Sequence, residues 1–297
     1  MKVIRAEILG FCSGVRGAVN TAIKSLGEHV QGKVYTLGPL IHNPLVLEKL
    51  ATEGLDIISE DDFEKLTPQD TVIIRAHGVP PETQKKLQKI GCTIKNAACP
   101  LVLQSQKRTA KYAEQDFNII FAGDKNHGEV VGIEGYAVEA AKSVGRKLNF
   151  FLVKDEEEVR SLLEKNLLDT QKKTVLLSQT TFSISVFAKI QNLLEEKLEN
   201  FEFVNSICPA TYSRQTALEK LCKEVDGIIV IGGKNSANTN RLFKTALKLS
   251  NHAALIESVD EIPEEFFALE TVGITAGAST PDDIIDEVDR ILTEKKH

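Results

Sequence analysis

The chain carries five cysteines, Cys12, Cys92, Cys99, Cys208 and Cys222, and six histidines. Five is an odd number, widely spread and without a C-x-x-C pair, which argues against a disulfide framework, a zinc ribbon or a thioredoxin motif. Three of the five recur in one setting: VIRAEILGFC, CTIKNAAC and FEFVNSIC each place a cysteine, Cys12, Cys99 or Cys208, after a strand-like run. Three thiolates gathered from far apart in the chain have four readings. A structural zinc site wants four ligands, a catalytic zinc keeps three, an iron–sulfur cluster suits thiolates well, and small buried residues need no ligand at all. A 4Fe–4S cluster on three cysteines leaves one iron open to substrate. Cys92, in the CTIKN strand pattern, and Cys222, late in a helix pattern, fall outside the register and read as core. Gly10, Gly14 and Gly17 around Cys12 have neither Walker nor Rossmann spacing. Gly14 and Gly17 are expected to allow close approach of the helix to whatever the cysteine holds.

The elements around these cysteines repeat three times. Helix-like stretches follow, SGVRGAVNTAIKSL, PLVLQSQKRTAKYA and PATYSRQTALEKLC, with Pro100 and Pro209 suited to a first helical position. A strand then ends on a polar loop, which holds His42, 30 residues after Cys12, His127, 28 after Cys99, or Ser236, 28 after Cys208. Next come a strand, an acidic turn and a short helix in LDIISEDDFEKL, LNFFLVKDEEEVRSLL and AALIESVDEIPEEFF. TVIIRAHGV, TVLLSQTTFS and TVGITAGAST close the copies near His77, Thr180 and Ser279.

Strands alternating with helices make βαβ units with right-handed crossovers, and open parallel sheets bind ligands at the carboxyl ends of their strands. The expectation is an α/β chain of three similar lobes, each with a small mainly parallel sheet, arranged with pseudo-threefold symmetry around the cysteines. Its boundaries are 13–97, 98–200 and 201–297, with residues 1–12 leading into the cysteine site and packing with the third lobe. The alternative is one large doubly wound sheet. The residues gathered at the strand ends are the three cysteines, His42, His77, His127, Glu129, Thr180, Thr181, Ser236, Asn238 and Ser279.

Composition restricts the function classes. The 297 residues are 42% hydrophobic and 26% charged with a net charge of −6, which fits a globular protein and not a general nucleic-acid binder. No apolar run approaches the length of a membrane span. The amino terminus enters a strand pattern without a signal-peptide apolar region, so a cytoplasmic location is expected.

GFCSGVRGAV, HNP at His42, RAHGV, CPLV, HGE after GDKN, SQTTF, CPATYSRQ, GGKNSANTNRL and TAGAST run in order from residue 10 to 280. Together they resemble the 4-hydroxy-3-methylbut-2-enyl diphosphate reductase (LytB) family. The resemblance implies the last step of the methylerythritol phosphate route to isoprenoids: reductive loss of a hydroxyl that yields isopentenyl and dimethylallyl diphosphate. It implies a 4Fe–4S cluster on Cys12, Cys99 and Cys208 with one open iron at which the substrate hydroxyl approaches. It also implies a small allylic diphosphate substrate and an external electron donor such as ferredoxin or flavodoxin, with neither nucleic acid nor membrane as partner.

Glu129 in HGEV is the expected proton source, and Thr180 is expected to orient or relay that proton. The matching diphosphate positions are His42, His77, His127, Ser236, Ala237, Asn238 and Ser279, with Thr180 beside them; such loops before helix N-termini favour an anion. Lys125 and Lys234 are left outside the site as solvated cations. The chain departs from the family pattern at Ala98 for Thr, Gly128 for Pro, Pro209 for Tyr and Ala237 for Ser. Ala237 removes one candidate hydroxyl donor but keeps its backbone N–H. The rival functions are a non-redox iron–sulfur dehydratase and a non-catalytic metal- or phosphate-binding protein.

Overall fold

The structure, a computed structural model, describes residues 1–28 and 31–294. Its strands form three separate four-stranded sheets, all parallel. The chain runs β1 (Lys2–Arg5), α1 (Ser13–Gly27), β2 (Val34–Leu37), α2 (Pro44–Thr52), β3 (Leu55–Ile58), β4 (Thr71–Ile74), α3 (Pro81–Ile90) and β5 (Thr93–Asn96). It continues through α4 (Pro100–Glu114), β6 (Asn118–Ala122), α5 (Gly128–Ser143), β7 (Asn149–Val153), α6 (Glu156–Glu164), β8 (Thr174–Ser178), α7 (Ile184–Lys197) and β9 (Phe201–Phe203). The last elements are α8 (Pro209–Leu221), β10 (Gly227–Ile231), α9 (Ala237–Leu249), β11 (His252–Ile256), β12 (Thr271–Ala276) and α10 (Asp282–Glu294).

The sheets share one topology. Their strand orders are β3-β2-β4-β5, β7-β6-β8-β9 and β11-β10-β12-β1. In the first two the chain starts in the second position, steps outward, crosses back to the other side and adds a fourth strand beyond; β10, β11 and β12 repeat the first three steps. The fourth strand of the last sheet is β1, paired parallel with β12 from Lys2↔Thr271 to Arg5↔Ile274. A switch point, where successive connections leave in opposite directions, therefore lies between β2 and β4, between β6 and β8, and between β10 and β12. Loops diverge there and leave a crevice at the carboxyl ends.

Both faces of the central strands are buried, which explains why the strands read as continuous apolar runs. In β6, Ile120 packs with Val159 and Leu162 of α6 and with Ile190 and Leu194 of α7, while Ile119 and Phe121 face Val130, Ile133 and Ala137 of α5. In β10, Ile229 and Ile231 meet Ile285, Val288 and Leu292 of α10, while Ile228 and Val230 meet Leu218 of α8 and Leu242 of α9.

The chain divides into two compact units. One comprises 1–19, 41–53 and 209–297, the other 20–40 and 54–208. Among the described residues no helix is long and apolar enough to cross a membrane.

Several local expectations need correction. The acidic turn is followed by an α-helix only in the second copy, where Asp155 caps α6 through Glu158 N–H. The first copy closes into a 3-10 turn, Glu60–Lys65, held by a capping box between Ser59 and Asp62. The third is broken by Pro263 into two 3-10 turns, Val259–Glu261 and Glu264–Ala268. The strands also stop short of the cysteines: β1 ends at Arg5, β5 at Asn96 and β9 at Phe203, and Cys92 lies one residue ahead of β5.

Candidate active site

Each registered cysteine stands immediately before a helix: Cys12 before α1, Cys99 as the N-cap of α4 and Cys208 before α8. Pro100 and Pro209 open α4 and α8, and a proline at that position lacks only an N–H that has no intrahelical partner anyway. All three cysteines are half-buried. Each donates its backbone N–H to a carbonyl just past the third strand of a sheet. Cys99 bonds Ala76 at 3.0 Å, next to His77; Cys208 bonds Thr180 at 2.8 Å; Cys12 bonds Ala278 at 3.1 Å, next to Ser279. One backbone contact thus ties every cysteine to a polar strand-end loop. Val15 N–H also approaches Cys12 Sγ at 3.4 Å.

Cys92 and Cys222 differ in kind. They are buried in apolar clusters, Cys92 with Leu87 and Val72 and Cys222 with Leu218 and Leu221, and burial pushes both thiols up from their ordinary pKa. Among the described residues no cysteine is joined in a disulfide. Cys12, Cys99 and Cys208 each place a half-buried sulfur at a positively polarised helix start, chemistry that suits an anionic iron–sulfur group, whereas Cys92 and Cys222 do not.

Within the unit comprising 20–40 and 54–208, the loop after β6 delivers His127 and Glu129 to the start of α5. His127 is the N-cap, and its Nδ1 accepts Glu129 N–H at 3.2 Å. With Nδ1 so used, the neutral imidazole carries its proton on Nε2 and offers a donor there. His77, from the loop after β4, lies edge-on to His127 with ring centroids 5.1 Å apart. Glu129 is 1% exposed, and Thr180 holds both its oxygens: Thr180 N–H donates to Oε1 and Thr180 Oγ1 to Oε2, each at 2.7 Å. Thr180 comes from the loop after β8, so this switch point brings its two polar partners together. Thr181 sits one residue further on, where its Oγ1 accepts a hydrogen bond from Gln179 Nε2 at 2.9 Å. Lys125 borders a separate surface cleft with Lys154 and Lys165.

Within the unit comprising 1–19, 41–53 and 209–297, the loops after β10 and β12 meet the turn before α2. Ser236 caps α9 by accepting Thr239 N–H, Ala237 is the first residue of that helix, and Ser279 Oγ donates to the His42 carbonyl at 3.0 Å. Gly233 allows this approach, since a Cβ there would lie 2.4 Å from the same carbonyl. Asn43 caps α2 through Val46 N–H. Ser236, Asn238 and Ser279 are each 5% exposed, and Asn238 Nδ2 has no acceptor among the described residues. A buried amide donor at a helix start, left without an acceptor, fits a site for an anion. Lys234 instead pairs with Glu261.

The model of the LytB protein family matches residues 3–293. The chain belongs to the LytB family. Among LytB relatives, the 4-hydroxy-3-methylbut-2-enyl diphosphate reductase of Treponema denticola is 45% identical and spans 99% of this chain and 100% of its own. The enzyme of that name from Aquifex aeolicus is 38% identical over 98% of this chain and 96% of its own. The solved structure of E-1-hydroxy-2-methyl-but-2-enyl-4-diphosphate reductase from Plasmodium falciparum superposes with a TM-score of 0.89 at 28% identity, covering 99% of this chain and 88% of that one. A second structure, of the reductase described as the terminal enzyme of the non-mevalonate pathway, gives 0.69 at 37% identity, covering 99% of this chain and 100% of that one.

The positions that depart from the LytB pattern leave these hydrogen bonds in place: Pro209 opens α8, and Ala98 N–H bonds Asn96 Oδ1. Two arginines escaped the sequence reading. Arg214 in ATYSRQ is 3% exposed, and its guanidinium donates to the carbonyls of Ala210 and Gly10, bracing the turn before Cys12. Arg75 in RAHGV lies beside the His77 loop and is half-buried, with its Nε fully enclosed. Their place inside the motifs was the only available signal, because an arginine in a sequence does not show whether it is buried.

Proposed function

We propose that this chain reduces 4-hydroxy-3-methylbut-2-enyl diphosphate, an allylic alcohol diphosphate, to isopentenyl and dimethylallyl diphosphate. The allylic C–O bond breaks, two electrons enter from an external donor of the ferredoxin or flavodoxin type, and two protons are consumed. One proton leaves with the oxygen as water and the other closes the new C–H bond. The observation that carries this reading is the buried Glu129 carboxyl held at both oxygens by Thr180 beside His127.

Cys12, Cys99 and Cys208 would hold a 4Fe–4S cluster, which supplies electrons and, at an iron without a cysteine, a Lewis acid for the departing oxygen. Glu129 takes up the proton at Oε2 and passes it on. When Oε2 is protonated, its bond with Thr180 Oγ1 reverses, and the threonine proton turns away from Glu129 toward the leaving oxygen. His42, His77, His127, Ser236, Asn238, Ser279 and the Ala237 N–H bind the diphosphate, with the starts of α2, α5 and α9 behind them. The recurring strand order supports reading the chain as three lobes, 13–97, 98–200 and 201–297. A cytoplasmic location suits a substrate and carrier of this kind.

The test is anaerobic turnover of the hydroxylated diphosphate with a chemical reductant, alongside visible and electron paramagnetic resonance spectra of the same sample. Product formation that requires both reductant and the brown chromophore is expected. Turnover without electrons favours an iron–sulfur dehydratase, and a colourless inactive protein favours a phosphate-binding role.

A further inference from the structure

Arg75 follows the last residue of β4, and its guanidinium is housed between two glycines. A Cβ on Gly38 would lie 2.7 Å from its Nη1, and a Cβ on Gly128 would lie 2.5 Å from its Nη2 and 2.9 Å from Cζ. Gly128 is the first residue of α5, between the N-cap His127 and Glu129. The cation is therefore pressed against the start of a 16-residue helix, where the aligned peptide dipoles are already positive. Its Nε is buried without an acceptor, and among the described residues no carboxylate lies within ion-pair distance of it. Burial without a countercharge pulls the guanidinium below its ordinary pKa.

Proteins seldom bury a charge without a partner, because desolvation is then uncompensated. Here the cost is compounded by the like-signed helix end, and no carboxylate among the described residues relieves it. An anion bound at the start of α5 would relieve both at once. Gly128 makes the arrangement possible: a side chain there would meet the guanidinium.

We propose that Arg75 is the resident countercharge for the substrate's diphosphate, acting with the α5 start and the His77 and His127 imidazoles to select a diphosphate over a monophosphate. This rests on the function proposed above and names the residue that sets its charge selectivity. Through-space attraction at low local dielectric suffices, and a water can complete the contact.

The test uses the anaerobically prepared holoprotein and its Arg75→Gln and Arg75→Lys variants. Inorganic pyrophosphate and orthophosphate binding are measured by calorimetry, with kcat and KM on the allylic diphosphate and thermal melting alongside. Arg75→Gln should weaken pyrophosphate at least about tenfold, change orthophosphate less, raise KM in parallel and leave kcat within about threefold. Arg75→Lys should recover most of the affinity, and Arg75→Gln should melt no lower than the parent, since it removes an unpaired buried charge. Unchanged pyrophosphate affinity in Arg75→Gln, a lysine variant no better than the glutamine one, or a marked loss of melting temperature would each overturn the proposal, the last by making the guanidinium a packing element. Pyrophosphate binding needs no turnover. A parent that binds it through Arg75 but does not reduce the alcohol refutes the proposed reaction alone, and a parent that turns over with Arg75→Gln unaltered refutes only the role of Arg75.

Discussion

Replacing Glu129 by Gln separates the proton from the shape of the site. The carboxyl accepts Thr180 N–H and Thr180 Oγ1 at 2.7 Å each, so a glutamine can keep both contacts. Its Oε1 takes the N–H, and its Nε2 donates to Oγ1 once that hydroxyl turns around. Two charge-assisted bonds become neutral ones, at about 1 kcal/mol each, partly offset because a charge is no longer desolvated. A net change of at most about 2 kcal/mol follows, a fall of a few degrees in melting temperature for a chain of this size. The anion side is insulated, since His127 Nδ1 accepts the backbone N–H of residue 129, which the substitution keeps. Loss of a general acid removes about 10²–10⁴ from the rate, or about 3–5 kcal/mol from transition-state stabilisation. The expected result is a kcat lower by at least about 10², with KM, pyrophosphate affinity and visible spectrum close to the parent. The assay is anaerobic turnover with a reduced viologen, single-turnover product analysis and spectra on one preparation. A kcat within about threefold of the parent refutes the proton role, and a bleached spectrum shows that Glu129 supports the chromophore instead.

The other expectations follow from the same geometry. Cys208→Ser should abolish or damage the iron–sulfur absorbance, while Cys222→Ser should keep it and lose about 1–3 kcal/mol of stability by placing a hydroxyl among Leu218 and Leu221; equal behaviour of the two in the visible spectrum contradicts the register. In protein stripped of iron, Cys12, Cys99 and Cys208 should alkylate near pH 8 well before Cys92 and Cys222. Burial raises the latter two thiols, so their thiolate fraction stays small until the pH passes that raised value, and mass spectrometry finding all five modified at similar rates counts against this. Asn238→Leu should leave melting unchanged or raise it, because the Nδ2 group has no acceptor among the described residues to lose, yet weaken pyrophosphate binding by about tenfold; unchanged affinity in calorimetry removes Asn238 from the anion site.

The cysteine backbone bonds explain how one repeated motif serves two purposes. The N–H of Cys99 ends on Ala76, of Cys208 on Thr180 and of Cys12 on Ala278, all beside candidate substrate residues. A displacement of a strand-end loop therefore moves the cysteine bonded to it. Metal retention and substrate affinity should respond together to changes at these three carbonyl positions.

Much of this was legible in the sequence because it is local. Parallel, doubly covered strands announce themselves as short apolar runs, helix starts are marked by Pro100, Pro209 and Ser236, and similar spacings of 28–30 residues from Cys12, Cys99 and Cys208 reveal the repeat. The same local cues misjudged the acidic segments after β3 and β11, where a capping box and Pro263 produced 3-10 turns. The burial of Arg75 and Arg214 was invisible, because it depends on glycines and carbonyls remote in the chain.

By itself, then, the sequence determined the strands and long helices, the threefold pattern and which residue types stand at strand ends, since these follow from periodicity, caps and spacing. The tertiary structure alone decided that strands pair in the order second, first, third, fourth, and that β1 completes the sheet of β10, β11 and β12. It alone decided that Thr180 grips both oxygens of a buried Glu129, and that Arg75 Nε is buried without an acceptor among the described residues. Pairing, burial and charge balance are set by distant segments, and no window of neighbouring residues contains them.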